Sequence, residues 1–98
     1  MAYSVIGFPA GIMDTANLHL AIIKQGYSDR VPRMKVLTVA ASSSDFDLLS
    51  SRFGDRFVNF VLLNDEAVEV CRAVGFSADP VGRVDETEIE HPLPLLGS

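Results

Sequence analysis

The sequence predicts a small α/β domain, a sandwich of a three- to four-stranded, mainly parallel sheet with helices packed on it. The chain has 98 residues, of which 48% are apolar and 21% are charged, values that are typical of a single folded domain. Short β-favourable runs alternate along the chain with segments of helical periodicity. Glycines and prolines interrupt the chain between these segments and mark their ends.

Three segments have the composition of strands. The first, residues 3–8, is halted by Pro9 and Gly11. The second, residues 34–41, is almost continuously apolar, as expected of a strand that is covered on both faces, and is predicted to be the central strand. The third is the apolar run of residues 57–63. Each is short enough to be an ordinary strand.

Two helices are predicted between these strands. Asp14 or Thr15 can cap the first helix, and Gly26 ends it. Serines at positions 42–44 can cap the second helix, which stops before Gly54. The first helix has apolar residues over a broad part of its surface, namely Ala16, Leu18, Leu20, Ala21, Ile22 and Ile23.

The third helix has the clearest periodicity. Asn64 is predicted to cap it, and Gly75 followed by Phe76 predicts a Schellman ending. Cys71, the only cysteine, lies on the apolar stripe, so we expect a buried thiol rather than a nucleophile. The stripe consists of Ala67, Val70, Cys71 and Val74.

The alternation of strands and helices favours parallel pairing, but one alternative stays open. In a ferredoxin-like α+β sandwich, with the order βαββαβ, the second helix is only a connection and the second and third strands pair antiparallel. Residues 1–78 are predicted to form the single α/β domain. Residues 79–98 hold five acidic residues and one basic residue, and form an acidic and then Pro/Leu-rich extension. An edge strand can form there, but Pro92 and Pro94 predict that no ladder continues through the end.

In a parallel sheet, the loops that follow the strands converge on one edge, where ligands bind in open α/β folds. Oxygen atoms at this edge can hold a divalent cation, or helix N-termini can hold an anion. Ordinary helix capping explains the same residue types without any ligand. The candidate ligand-binding residues are Asp14, Ser43, Asp45, Asn64 and Asp65.

Several classes of function have no signal in the sequence. No glycine-rich phosphate loop is present, and His19 and His91 are not spaced as a catalytic or metal pair, so we predict no catalytic residue, metal or cofactor. A net charge of −5 opposes nucleic-acid binding. No apolar run is long enough to span a membrane, and the N-terminus lacks a secretory signal, so we expect a cytoplasmic protein.

The sequence therefore predicts a non-catalytic interaction or accessory protein that forms a homo-oligomer or binds a protein partner. Leu93, Leu95 and Leu96 are the predicted interface residues, because apolar groups in a short terminal segment are hard to bury. The alternative is a small ligand- or metal-binding domain, or an enzyme, that uses the acidic loops.

A second alternative comes from a resemblance. Residues 36–41 (VLTVAA), 60–65 (FVLLND) and 73–76 (AVGF) resemble elements of thioredoxin-like and peroxiredoxin domains. Residues 8–15 (FPAGIMDT) occupy the place of that family's active-site loop and contain no cysteine. The resemblance implies a thioredoxin-like scaffold without a redox cysteine, with a loop that contains a cis-proline.

Overall fold

The computed structural model describes residues 1–96, in which five strands form one antiparallel sheet. The strands are β1 (Ala2–Phe8), β2 (Val36–Thr38), β3 (Asn59–Leu63), β4 (Gly82–Asp85) and β5 (Leu93–Leu96). Their order across the sheet is β4-β1-β3-β2-β5. The α-helices are α1 (Thr15–Lys24), α2 (Ser44–Phe53) and α3 (Asp65–Ala73), and short 3₁₀ helices span Ser28–Arg33 and Glu86–Glu88.

The prediction of a mainly parallel sheet with three or four strands is wrong. β1 pairs antiparallel with β3 and β4, and β2 pairs antiparallel with β3 and β5. β1 and β2 run in the same direction, but β3 lies between them, so no parallel ladder forms. The βαββαβ alternative agrees with the pairing of β2 and β3, because β1, α1, β2, β3, α3 and β4 follow its order and α2 only connects two strands. The fifth strand belongs to neither prediction.

The centre of the sheet is β3, and not the segment 34–41 that its apolar composition indicated. All four residues of 60–63 are fully buried, because chain segments cover both faces of the sheet here. β2 has only three residues and lies between β3 and β5. The buried residues Met34 and Val39 flank β2 but are not part of it. Continuous apolar composition therefore identified a buried segment without identifying its place in the sheet.

Two apolar clusters lie on opposite faces of the sheet, because successive side chains of a strand point to opposite faces. We call the face covered by α1 and α3 the first face, and the face covered by α2 and residues 86–91 the second face. The first-face cluster includes Ile6, Leu18, Ile22, Val36, Val61, Leu63, Val70 and Cys71. The second-face cluster includes Tyr3, Val5, Leu49, Phe57, Phe60, Leu62, Val84 and Ile89.

Two strand glycines allow aromatic rings to lie directly against the second face. A Cβ atom at Gly7 would lie 2.6 Å from the ring of Phe57, which is too close for real atoms. A Cβ atom at Gly82 would overlap the ring of Phe53, the last residue of α2. Glycine at these two positions therefore leaves space for rings from α2 and from the segment before β3 to cover this face.

The predicted helix N-caps are confirmed. The side chain of Asp14 accepts a hydrogen bond from the backbone N–H of Asn17 at 3.1 Å. Ser43 accepts one from the N–H of Phe46 at 3.2 Å and is the cap among the three serines. Asn64 begins α3 in the same way. Each of these side chains satisfies a donor that the helix itself leaves free.

The Schellman ending predicted for α3 is confirmed as well. The N–H of Phe76 donates to the carbonyl of Cys71 at 2.8 Å, and Gly75 has a φ of 87°. α1 ends in the same motif, in which the N–H of Tyr27 donates to the carbonyl of Ile22 at 2.9 Å. Positive φ is the reason for the glycine, because a Cβ atom strains this conformation.

The C-terminal part of the chain contributes two strands to the sheet. β4 pairs with β1, and its Val84 is buried. The expectation that no ladder forms after Pro92 is wrong, because β5 pairs with β2 and places Pro94 opposite Leu37. Proline removes only its own N–H, and an edge strand has one side that needs no partner. Gly97 and Ser98 lie outside the described residues.

Candidate functional site

The five candidate ligand-binding residues do not converge. β1 and β2 run towards one end of the sheet, and β3 runs towards the other, because the pairing is antiparallel. Asp14 and Ser43 therefore follow strands at one end, and Asn64 follows β3 at the opposite end. Asp14 and Ser43 also begin helices on opposite faces of the sheet. The acidic edge that a parallel sheet would have created does not exist in this fold.

Asn64 is occupied by contacts within the chain. Its Oδ1 accepts hydrogen bonds from the N–H of Ala67 at 2.9 Å and of Lys35 at 3.0 Å. Its Nδ2 donates to the carbonyl of Arg33 at 2.9 Å. The residue is buried. Its hydrogen bonds join the start of α3 to the segment that enters β2. Capping, rather than a ligand, accounts for this residue.

Asp45 holds the C-terminal segment against the second face. Its carboxylate is only 2% exposed and accepts hydrogen bonds from the backbone N–H groups of Glu90 and His91, both at 2.8 Å. In the last turn of α2, Arg52 donates two hydrogen bonds to Glu88, at 2.8 and 3.1 Å. The Arg52 guanidinium lowers the pKa of Glu88 and keeps its carboxylate charged. We call these two contacts the α2–tail clamp.

On the first face, a second charged group joins α3 to the 3₁₀ helix that precedes β2. The carboxylate of Glu66 contacts both Arg30 and Arg33, and the distance from its Oε1 to the Nε of Arg33 is 2.7 Å. The hydrogen bond from Arg30, followed by that from Arg33, lowers the pKa of Glu66. The ion pairs of Glu66 with Arg30 and Arg33 therefore link α3 to the 3₁₀ helix Ser28–Arg33.

The predicted burial of Cys71 is confirmed. It is fully buried in the first-face cluster, and burial raises the pKa of its thiol to about 11. The thiol is neutral at physiological pH, and the thiolate is the form that reacts. Cys71 therefore behaves as a small apolar side chain.

The tail leucines differ from one another. Leu95 and Leu96 are half-buried and pack against the first-face cluster, while Leu93 is 52% exposed. β5 gains this packing by lying beside β2 and contacting α1. Two of the three predicted interface residues are therefore partly used inside the molecule.

The main exposed apolar surface lies on α1. Leu20 is 52% exposed and Ile23 is 50% exposed, and Ala16 is exposed one turn before Leu20. The spacing i, i+4, i+7 places the three side chains in one row along the helix. We call Ala16, Leu20 and Ile23 the α1 outer row. Sequence periodicity identified α1 as broadly apolar, but only the packing of Leu18 and Ile22 against the sheet shows which residues face outward.

A cleft of about 410 Å³ opens between α3 and the β1–β4 pair. At its side, Arg83 extends its guanidinium to 3.5 Å from the hydroxyl of Ser4 and 3.3 Å from the carboxylate of Asp65. Arg72 donates to the carbonyl of Ala78 at 3.3 Å. The cleft is lined by four charged residues, Asp65, Glu69, Arg72 and Arg83. Ser4, Val68 and Pro80 complete the lining.

Of these lining residues, only Asp65 was a candidate from the sequence. Val68, Glu69 and Arg72 share α3 with Asp65, whereas Arg83 comes beside Ser4 only because β4 returns beside β1. One signal was available in the sequence, because Ser4 is a polar residue within the otherwise apolar run of residues 3–6. A hydroxyl at such a position is buried with the strand and needs a partner.

Comparison of the chain with protein-family profiles, with curated proteins and with solved structures returned no match. Within residues 1–96, no three His, Cys, Asp or Glu side chains are grouped as metal ligands would be. No helix in this range has the length and apolar character needed to cross a membrane. Every peptide bond in the described part of the chain is trans, so the cis-proline loop of the thioredoxin-like alternative is not found there.

Proposed function

We propose that this protein is a non-catalytic interaction module that self-associates through the α1 outer row, with a second copy of the chain as its partner. The observation that carries the proposal is the exposure of Leu20 and Ile23 on one side of a helix whose opposite side is fully buried. A contiguous exposed apolar surface of this kind is a common mark of an interaction site.

The spacing of the row suits a two-fold symmetric helix pair. In an antiparallel pair centred on Leu20, that residue meets its own copy, and Ala16 of one chain lies within one residue, about 1.5 Å along the axis, of the level of Ile23 of the other. Packed helix axes lie about 8–10 Å apart, and a small residue opposite a large one allows this approach. The same surface patch then serves both partners, as a two-fold interface requires.

The charges on α1 favour the same arrangement. Between Asp14 and Lys24 the helix carries no carboxylate, ammonium or guanidinium group. Antiparallel packing brings the Asp14 end of one helix near the Lys24 end of its copy. The net charge of −5 is therefore not concentrated at this contact.

β5 extends the apolar surface next to α1. Leu93 lies opposite Thr38 in the β2–β5 register, and Thr38 points to the first face because it is two residues from Val36. The exposed side chain of Leu93 therefore lies on the side of the sheet that α1 covers. The α1 outer row is the contact that we propose, and Leu93 is a further exposed apolar residue on this side of the sheet.

Sedimentation velocity over a concentration series tests this proposal on the full chain and on Leu20→Lys. We expect the full chain to form dimers as concentration rises, and Leu20→Lys to raise the dissociation constant by about tenfold or more, because two lysines would meet at the symmetry axis. Val58→Lys is the matched control, because Val58 is exposed to a similar degree but lies in the connection before β3.

A chain that stays monomeric at every concentration contradicts the proposal, as does equal loss of dimer in Leu20→Lys and Val58→Lys. Truncation before Pro92 is a poorer test. It removes β5 and exposes β2, so it changes the fold together with the surface.

A further inference from the structure

We infer that the cleft between α3 and the β1–β4 pair binds a free α-amino acid, a small zwitterion with one carboxylate and one ammonium group. The cleft is separate from the α1 outer row and involves different elements. Its volume of about 410 Å³ lies within the usual range of small-molecule sites, about 300–1,000 Å³. The inference is independent of self-association.

Two guanidinium groups provide the site for the carboxylate. Arg72 forms no ion pair with any residue in 1–96, and it donates only one long hydrogen bond, to a backbone carbonyl. The two contacts of Arg83, at 3.3 and 3.5 Å, are also long for charge-assisted hydrogen bonds. Most donors of both groups are therefore available, and the planar guanidinium fork matches a carboxylate.

Two carboxylates provide the opposite charge. Asp65 and Glu69 line the cleft one helical turn apart on α3, and their side chains are exposed. Asp65 contacts Arg83 at 3.3 Å, and Glu69 contacts Arg30, which is outside the lining, at 3.1 Å. Both carboxylates are largely exposed, where an ion pair contributes little, so an ammonium group can compete for them. The four charged lining residues sum to zero, which suits a ligand that carries both charges. A phosphate dianion would meet these two carboxylates without an ammonium group to offset them. The lining therefore favours a zwitterion over a simple anion.

Ser4 provides a fixed polar group in the lining. Ser4 is 4% exposed, and the one hydrogen-bond partner of its hydroxyl among the described residues is Arg83. A hydroxyl can donate to a carboxylate or accept from an ammonium group. Ser4 is buried on β1, so its hydroxyl is held in place before the ligand arrives, and α3 fixes the backbone of Arg72 beside it. Val68 and Pro80 offer apolar contacts for the side chain of the ligand.

The experiment is a two-dimensional NMR titration of the full chain with each of the twenty free L-α-amino acids. We expect at least one to cause saturable shifts at the amides of Ser4, Asp65, Arg72 and Arg83. The N-acetyl and carboxamide forms of that amino acid should bind about tenfold more weakly or worse, because each lacks one of the two charges. Arg72→Gln should weaken binding by a similar factor. Arg56→Gln should not, because Arg56 lies over the ring of Phe57, outside the cleft.

The inference is overturned if none of the twenty amino acids causes saturable shifts in the cleft. It is also overturned if inorganic phosphate or the N-acetyl form binds as tightly as the free amino acid, because the site would then recognise only an anion. Unchanged affinity in both Arg72→Gln and Ser4→Ala would equally contradict it. Arg72 is exposed and Ser4→Ala removes a single oxygen from a buried strand residue, so the spectrum of each variant without ligand is first compared with that of the unchanged chain to establish that it is folded.

Discussion

The two faces of the sheet are covered in different ways. On the first face, α1 and α3 bury apolar side chains from each of their turns in one continuous cluster. The second face is covered by α2, in which Leu49 is the one fully buried apolar residue. The remaining cover comes from aromatic rings and from the C-terminal segment. Phe60 contacts the rings of Phe46 and Phe57 edge-on, with both centroids 5.4 Å away. The first face is closed by helix packing, and the second by rings and a polar clamp.

This difference shows where the fold is robust. The first face is closed by α1 and α3, whose buried apolar side chains form one continuous cluster with the sheet. The second face is closed by segments that are distant in sequence, and the α2–tail clamp joins them through Asp45 and Arg52. Polar contacts lose less than apolar packing when water replaces them. We therefore expect the second face to open first.

The largest expected effect compares two matched cavities. Leu18 on α1 and Leu49 on α2 are both fully buried, so both Leu→Ala changes remove the same atoms. We expect Leu18→Ala to lower the free energy of unfolding by about 3–5 kcal/mol and Leu49→Ala by about 2–3 kcal/mol, because α2 and the tail can close around the cavity. Urea denaturation measures both. Equal losses, or a larger loss for Leu49→Ala, would show that the second face is as rigid as the first.

A smaller effect is expected at the clamp. Asp45→Ala leaves two backbone N–H groups without their carboxylate acceptor and should lower the free energy of unfolding by about 2 kcal/mol. Hydrogen exchange of residues 89–96 should become faster, while exchange of α3 should change little. Asp47→Ala is the control, because Asp47 is also in the first turn of α2 but is exposed, and we expect a change within about 0.5 kcal/mol. Similar results for both variants would mean that the clamp has no special role.

The smallest expected effect is a pH dependence. The pKa of Glu88 is lowered, first by Arg52 and then by the backbone N–H of Asp85. The native state therefore binds its proton less readily than the unfolded state, so the contribution of Glu88 is present at neutral pH. It should be lost as the pH falls below the ordinary glutamate pKa of 4.5 and through the lowered pKa of the native state. Glu88→Gln should reduce this loss between neutral and acidic pH, as followed by hydrogen exchange at Glu90 and His91. If the pH dependence of hydrogen exchange were the same in Glu88→Gln as in the unchanged chain, Glu88 would not contribute to the α2–tail clamp.

Local features of this molecule were predictable from the sequence. Asp14, Ser43 and Asn64 cap the helices because the side chain of each accepts from the N–H group only three residues later. Gly75 ends α3 because its positive φ is a property of one residue. The burial of Cys71 follows from the periodicity of a single helix. In each case the interacting groups lie within one or two turns.

The candidate site was not predictable in the same way. The prediction of an acidic edge required β3 to run parallel to β1 and β2. The chain instead enters β3 from the opposite end of the sheet after α2, so β3 runs antiparallel to both. A ten-residue helix can link parallel neighbours or return the chain antiparallel, and its own sequence is compatible with both. The cleft arose only when β4 brought Arg83 beside Ser4, seventy-nine positions earlier in the chain.

The sequence by itself determined where the three α-helices begin and end, and that the apolar stripe of α3 is buried, because groups within a few residues of one another decide these properties. The tertiary structure alone decided the antiparallel order of the sheet, the central place of β3 and the cover of the second face. Gly7 and Gly82 illustrate the reason, because each is required by an aromatic ring that approaches from a distant segment. Such contacts carry no local signal, and they form only when the whole chain packs.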